Sequence, residues 1–188
     1  MIDITVAIAH IPTRQVLLAR ALDSIQNQTY SAQHVVIDED RAHTGGAATK
    51  NRALAKVRTG WVAFLDDDDY FLPQHLHLLA SEALMTGADV IYSWPVMDGG
   101  SDPRPEMFGK PFDADELRRG SYLHTTILVK TELAVRVGGF QKPPGSDYDD
   151  WGFHLALLDD GATFVHVPER TWVWTVRGQN TSGRGDRW

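Results

Sequence analysis

The chain has 188 residues and a formal charge of -7, with 43% hydrophobic and 23% charged residues. A chain of this length can bury roughly 70% of the surface that it exposes when unfolded, so it fits one globular domain. The acidic balance argues against a broad nucleic-acid surface, and the lack of cysteine excludes disulfides, thiolate metal sites and cysteine nucleophiles. Any metal would therefore be held by oxygen or histidine ligands.

The amino-terminal residues carry no basic region followed by an apolar segment and a cleavage site. No apolar run approaches the roughly 20 residues of a membrane-spanning helix. We therefore expect a cytoplasmic protein without a membrane span.

Apolar spacing predicts alternating strands and helices over the first 94 residues, an order typical of a doubly wound sheet with right-handed crossovers. A long loop over residues 95–111 and a further set of helices and strands follow. The predicted helices lie between the predicted strands, and we expect Asp113 to cap the start of one helix and Gly87 to end another. The predicted strands cover residues 4–8, 34–37, 61–65, 88–94, 125–129, 162–167 and 172–176.

One stretch dominates the sequence: five apolar residues, 61–65, lead directly into four aspartates, Asp66 to Asp69. A short apolar run of this kind predicts a strand that is buried on both faces, and open α/β sheets bind ligands at the carboxyl ends of such strands. Hard carboxylate oxygens favour Mg²⁺ or Mn²⁺. The run by itself is equally compatible with a solvated acidic turn before the helix at Pro73.

Short motifs that follow one another along nearly the whole chain carry a family resemblance. They are His10-Ile11-Pro12-Thr13-Arg14, Gln28-Thr29-Tyr30, Asp38-Glu39-Asp40, Gly46 with Lys50-Asn51, Phe64-Leu65 with the four aspartates, Val137-Gly138-Gly139-Phe140, Ser146-Asp147 ahead of Trp151, and Pro168-Glu169. In this order they resemble the GT-A glycosyltransferases of the large inverting family that includes the cellulose and hyaluronan synthases.

The resemblance implies a three-layer α/β fold of the GT-A type, with a mostly parallel, doubly wound sheet and a small antiparallel element near the acceptor site. It implies one domain over residues 1–188: a nucleotide-sugar-binding half at 1–94, an acceptor-binding half at 95–177 and a flexible tail at 178–188. The implied activity is inverting, metal-dependent hexosyl transfer from a nucleotide diphosphate donor, with a UDP-sugar favoured, to an acceptor hydroxyl.

On the donor side, the resemblance assigns Asp68 to the Mn²⁺ or Mg²⁺ ion, as part of a DXD motif. Asp66 would lie near the ribose or a metal-bound water, or serve as a second metal ligand, and Asp67 or Asp69 would have a supporting role. Four consecutive acids leave this register open by one residue. Asp38 would meet the nucleobase. The other implied nucleotide-sugar ligands are His10, Pro12, Thr13 and Arg14 around the base, Lys50 and Asn51 near phosphate, and Arg177 as a diphosphate clamp in place of the family's histidine.

On the acceptor side, inverting transfer needs a base that takes the proton of the acceptor hydroxyl. Asp147 matches this role, with Asp149 and Asp150 as alternates, but Ser146 stands where the family usually has glutamate. His124 and Trp151 would line the acceptor site. The acceptor could be a protein, a modified nucleobase or a saccharide, and a homodimer is an expected assembly.

Two other functions fit parts of the sequence. The first is a non-catalytic module that binds a nucleotide-sugar or a metal, which would have no use for a base at Asp147. The second is a sugar-phosphate nucleotidylyltransferase. That class relies on a glycine-rich loop after its first strand, and the segment from His10 to Arg14 has no glycine.

Overall fold

The computed structural model describes residues 1–99 and 105–176. In these ranges a seven-stranded sheet has helices on both faces, which confirms the predicted three-layer α/β architecture. The strands are β1 Ile4–His10, β2 His34–Glu39, β3 Trp61–Asp66, β4 Tyr70–Phe71, β5 Val90–Asp98, β6 Ile127–Lys130 and β7 Phe164–Thr175. The helices are α1 Gln15–Gln26, α2 Gly46–Leu54, α3 His75–Thr86, α4 Pro105–Phe108, α5 Ala114–Arg119, α6 Thr131–Arg136 and α7 Asp149–Asp159.

The strand order is β2-β1-β3-β6-β5-β7-β4. The longer ladders, β1 with β2, β1 with β3, and β5 with β7, are parallel, while β6 runs antiparallel between β3 and β5. A simple doubly wound order would have placed β5 beside β3. Instead, the chain returns after α5 from the opposite direction, and β6 fills the centre of the sheet.

Strand β3 is buried on both faces, as its apolar run predicts. Val62 and Phe64 face a core formed with α2, α5, α6 and α7. Ala63 and Leu65 face a second core formed with α1 and α3. Alternation along one strand therefore joins the two outer layers, and burial of this run contributes to both cores.

Among the predicted boundaries that differ from the structure, two concern the long strands β5 and β7. Strand β5 continues through Pro95 into the predicted loop, and the two predicted strands at 162–167 and 172–176 are one strand, β7. The β5–β7 register shifts around Trp94, and Pro168 and Glu169 are exposed where the ladder is interrupted. A bulge accommodates proline because its missing N–H is not needed there.

The predicted helix ends are confirmed at two positions. The Asp113 side chain accepts a hydrogen bond of 2.8 Å from the Glu116 N–H at the start of α5. Gly87 ends α3 with a left-handed φ of 72°. Among the described residues, no helix combines the length and the apolar character needed to cross a membrane.

The strand directions bring many polar residues to one edge of the sheet. Strands β1, β2, β3, β5 and β7 all end at this edge, and β6 begins there because it runs the opposite way. The edge therefore collects His10, Asp66 and Thr175 from strand ends and Thr125 and Thr126 from the approach to β6. This is the edge at which open α/β sheets bind ligands.

Candidate active site

A cavity of about 450 Å³ opens at this edge. It is lined by the loop after β1, the loop before α2, the aspartates after β3, the residues before β6 and the start of α7. Ten of the predicted site residues contribute to its lining: His10, Arg14, Lys50, Asp66, Asp67, Asp68, His124, Asp147, Asp149 and Asp150.

The four aspartates after β3 alternate between buried and partly exposed positions. Asp67 is buried, and its Oδ2 atom accepts hydrogen bonds from the Ile11 N–H at 2.8 Å and pairs with His10 Nδ1 at 2.9 Å. Asp69 is also buried and accepts from the Thr175 N–H at 2.8 Å. These two carboxylates tie the aspartate run to the ends of β1 and β7, and Asp66 and Asp68 are the more exposed of the four acids in the cavity lining.

Asp66 and Asp68 are partly buried, and the positive charges beside them do not fully offset the loss of hydration of their carboxylates. Desolvation raises the pKa of Asp68 to about 6, with repulsion from Asp66 adding to the effect, although Arg14 lies 2.9 Å from its Oδ2 atom and opposes it. Desolvation also raises the pKa of Asp66, against the attraction of Lys50 at 3.9 Å. A pair of carboxylates in this state attracts a further cation.

The donor set at this point is suited to a hard divalent ion that shares its shell with a ligand. In the described ranges no three histidine, aspartate or glutamate side chains converge as a metal-binding cluster. Two carboxylates with water and phosphate oxygens would form a shell that Mg²⁺ or Mn²⁺ accepts. The residues therefore fit an ion that arrives with a phosphorylated ligand.

Lys50 joins the two sides of the cavity. Its Nζ atom lies 3.2 Å from Asp149 Oδ2 on α7, donates to Thr125 Oγ1 at 3.3 Å and lies 5.0 Å from the Phe140 ring centroid. Burial by itself would lower the pKa of Lys50, but Asp66 and Asp149 raise it above its usual value. The side chain is therefore a fixed positive charge between the acids of β3 and those of α7.

The three acids around the start of α7 have different surroundings. The side chain of Asp147 is 65% exposed, and its Oδ1 atom lies 3.4 Å from Lys142 Nζ. Asp149 is paired with Lys50, while desolvation raises the pKa of Asp150 to about 6. Ser146, in the position of the family's glutamate, accepts a hydrogen bond from the Tyr148 N–H at 3.1 Å and so shapes the turn into the helix.

Five predicted site residues that the structure describes do not line the cavity: Pro12, Thr13, Asp38, Asn51 and Trp151. Asp38 is turned toward Arg52 Nε at 2.7 Å and Lys56 Nζ at 2.6 Å. The Asn51 amide is occupied by the backbone of Phe140, and the Trp151 indole donates to the Leu117 carbonyl at 2.7 Å. Each polar group has a structural partner that the motif did not reveal. Arg177 and the predicted tail at 178–188 lie outside the described residues.

Sequence reasoning missed the loop that Asp40 holds. Asp40 is buried and accepts from the N–H groups of Thr44 and Gly45, both at 2.8 Å. Burial alone would raise the pKa of Asp40, but these donors lower it, and the loop that they fix brings His43, Thr44 and Gly45 to the cavity wall. An aspartate followed by Gly45 and Gly46 is a composition typical of turns and is the local signal for this loop.

The fold and the site together define an α/β protein with an acid-lined cavity at the carboxyl edge of its sheet. The sequence model described as "Glycosyl transferase family 2" matches residues 33–141, which is more than half of the chain. The chain belongs to glycosyl transferase family 2. The matched range contains Asp66 and Asp68 but ends before Asp147.

Solved structures support the same fold at low sequence identity. The crystal structure of S. aureus TarS 1-349 in complex with UDP is similar with a TM-score of 0.76 and 16% identity, over 94% of this chain and 61% of that chain. The TarS 1-349 complex with UDP-GlcNAc has a TM-score of 0.76 and 17% identity, over 94% of this chain and 59% of that chain. The crystal structure of S. aureus TarS has a TM-score of 0.74 and 18% identity, over 93% of this chain and 37% of that chain. The chain thus spans about 60% of the TarS 1-349 structures. A search of curated proteins gave no match.

Proposed function

We propose that this chain is an inverting glycosyltransferase that moves a sugar from a nucleotide diphosphate donor, with UDP favoured, to an acceptor hydroxyl. The observation that carries the proposal is one cavity that contains Asp66 and Asp68 of the β3 edge together with the acids at the start of α7. A charge-neutralising site for a leaving group and a set of potential bases are the two parts that this reaction needs. The complexes of TarS with UDP and UDP-GlcNAc support the choice of nucleotide.

On the donor side, Asp66 and Asp68 would hold Mn²⁺ or Mg²⁺. When bound, the ion would supply positive charge that stabilises the departing diphosphate. Arg14 and Lys50 lie beside these carboxylates and would add to that charge. The loop held by Asp40, rather than Asp38, offers the surface on which a nucleoside would rest.

On the acceptor side, Asp147 is the proposed base. It lines the cavity, and its exposed carboxylate can rotate away from Lys142 toward an incoming hydroxyl. Asp149 is held by Lys50 and is therefore less free to turn toward an acceptor. Asp150 is the competing candidate, because a base works best when its pKa lies near the working pH.

Calorimetry and a water-acceptor assay test both sides. UDP-, GDP- and TDP-sugars are titrated with and without Mn²⁺, and release of the nucleotide with water as acceptor is followed by NMR, which also reports the anomer formed. We expect one nucleotide to bind only with the metal and the Asp68→Asn variant to lose this binding. Asp147→Asn should keep binding and lose turnover.

The matched control for the base is Asp150→Asn. Full turnover in Asp147→Asn with loss in Asp150→Asn would move the role to Asp150. Binding without any turnover in the wild type would favour the non-catalytic module. Retention of the anomeric configuration would contradict the inverting mechanism.

A further inference from the structure

Three aromatic side chains line one part of the cavity: His124, Trp172 and Trp174. We refer to them as the aromatic wall. The His124 ring centroid lies 4.7 Å from that of Trp174 and 5.1 Å from that of Trp172, with both tryptophans at steep angles to the imidazole. Phe108 packs behind the wall, 4.5 Å from His124.

The fold explains why these residues meet. Trp172 and Trp174 are two positions apart on β7 and therefore lie on the same face of the sheet. His124 lies just before β6, which begins at the edge where β7 ends. Trp172 is almost fully buried, whereas His124 and Trp174 are partly exposed, so these two offer surface to a ligand.

The wall is fixed at both ends to the acids of the site. Next to Trp174, the Thr175 N–H donates to Asp69 Oδ1 at 2.8 Å, at the end of the aspartate run. Next to His124, Thr125 accepts from Lys50 Nζ at 3.3 Å, and Lys50 is paired with Asp149. The aromatic surface is therefore connected through Thr175 to the end of the aspartate run and through Thr125 and Lys50 to Asp149, in the same cavity that Asp66, Asp68 and Asp147 line.

The cavity is strongly acidic around this apolar surface. Its described lining contains eight aspartates and three cationic side chains, Arg14, Lys50 and Lys142. Burial lowers the pKa of His124 to about 4, so the imidazole is neutral near pH 7 and adds no positive charge. Such a surface repels an anionic acceptor, whereas a neutral acceptor carries no such penalty.

A pyranose ring matches these two properties together. One of its faces is made of C–H groups that pack on an aromatic ring, and its rim carries hydroxyls that donate to carboxylates. A nucleobase could stack on the same rings, but its edge alternates donors with acceptors, whereas every hydroxyl on the pyranose rim can donate to a carboxylate. A peptide backbone has no flat apolar face.

We propose that the acceptor is a neutral saccharide whose ring packs on Trp174 and His124 while its reacting hydroxyl points to the acids at 147–150. This inference rests on the proposed function and specifies its acceptor class. Trp174 is then a specificity-determining residue.

The test uses two variants of similar volume, Trp174→Phe and Trp174→Leu, of which the first alone keeps an aromatic face. Cellobiose, chitobiose, maltose and lactose are titrated by calorimetry, with and without UDP and Mn²⁺. At least one disaccharide should bind the wild type, with affinity about tenfold lower in Trp174→Leu and at most about threefold lower in Trp174→Phe. Trp61→Phe, at the opposite end of β3, is the control and should bind as the wild type does.

Further titrations distinguish a saccharide from other acceptors, and distinguish the acceptor proposal from the donor proposal. Binding of uridine, adenosine or a serine- and tyrosine-containing peptide through Trp174, with no disaccharide bound, would overturn the saccharide acceptor. So would a Trp174→Leu variant that weakens UDP-GlcNAc relative to UDP and leaves disaccharides unchanged, because the wall would then hold the donor's sugar. Failure of UDP to bind counts against the donor proposal alone, since the disaccharide arm is also run without UDP. Circular dichroism melts confirm that each variant is folded.

Discussion

The four aspartates after β3 have the same chemistry and different surroundings. Asp67 and Asp69 are buried and accept hydrogen bonds from neighbouring segments, so they serve the structure, although burial and the neighbouring acids also raise the pKa of Asp69. Asp66 and Asp68 face the cavity with raised pKa values, so their ionised forms cost stability. Carboxylates whose ionised forms are unfavourable in the free protein are typical of functional sites at which a bound cation later compensates the negative charge.

Substitution of Asp67 tests whether this aspartate stabilises the fold, in contrast to Asp68 at the cavity. Asp67→Asn should lower the free energy of unfolding by about 2 kcal/mol, because the amide cannot satisfy the Ile11 N–H, His10 and Arg14 together. Urea denaturation at pH 7.5 measures the change.

Asp68→Asn is the matched control, and its effect on stability should depend on pH. The folded pKa of Asp68 is raised to about 6, so the wild type loses stability as pH rises from about 4 through about 6. The variant should therefore equal or exceed the wild type in stability at pH 7.5, and any such gain should vanish near pH 4. An Asp67→Asn variant as stable as the wild type would contradict the structural role.

Helix α7 brings the proposed acceptor-side acids to the cavity because of close backbone packing. The turn after α6, from which the chain continues toward α7, contains Gly138 and Gly139, whose φ values of 86° and 69° disfavour other residues. Asn51 of α2 then pairs with both backbone groups of Phe140. Gly152 lets α7 approach this segment, since a Cβ atom there would lie 1.8 Å from the Gln141 carbonyl oxygen.

A methyl group at residue 152 should therefore displace the helix. Gly152→Ala is expected to lower the free energy of unfolding by about 2–3 kcal/mol, because backbone atoms cannot move aside as a flexible side chain can. Turnover should fall more than binding of UDP with Mn²⁺, since the helix carries acceptor-side acids. Gly120→Ala is the control: nothing lies within 4 Å of its added Cβ, so stability should change by about 0.5 kcal/mol or less. Equal effects of the two substitutions would argue against close packing at Gly152.

At the scale of the whole molecule, one buried ion pair connects the amino-terminal and carboxyl-terminal parts. Lys50 lies on α2 and Asp149 on α7, 99 residues apart in the chain, and both side chains are largely buried. Most other ion pairs are more exposed and are weakened by water and salt. The two proposed halves of the active site therefore depend on each other through this pair.

A double-mutant cycle measures that dependence. With Lys50→Met and Asp149→Asn, the coupling free energy in urea denaturation should be about 1–3 kcal/mol. The exposed pair of Arg136 and Asp160, at 2.7 Å, is the control, and Arg136→Ala with Asp160→Ala should show no resolvable coupling at 150 mM salt. Additive effects of the Lys50 and Asp149 substitutions would mean that the halves are held together by other contacts.

The sequence by itself determined the features that depend on neighbouring residues. The apolar run of β3, the acids at its end, the cap at Asp113 and the end of α3 at Gly87 are local patterns, and the motif order identified the family. Parallel strand direction explains why His10 and Asp66 lie at one edge, because parallel strands end on the same side of a sheet.

Only the tertiary structure decided how the side chains are used. Asp69 meets Thr175, Lys50 meets Asp149 and Asp38 turns to Arg52 and Lys56, and β6 enters the sheet between strands that precede it in sequence. Local periodicity contains no information on such pairings, since they depend on which distant donor lies nearest after the layers have packed. For the same reason, the sequence could not show which of the four consecutive aspartates are structural and which are available to a ligand, because that depends on their distant hydrogen-bond partners.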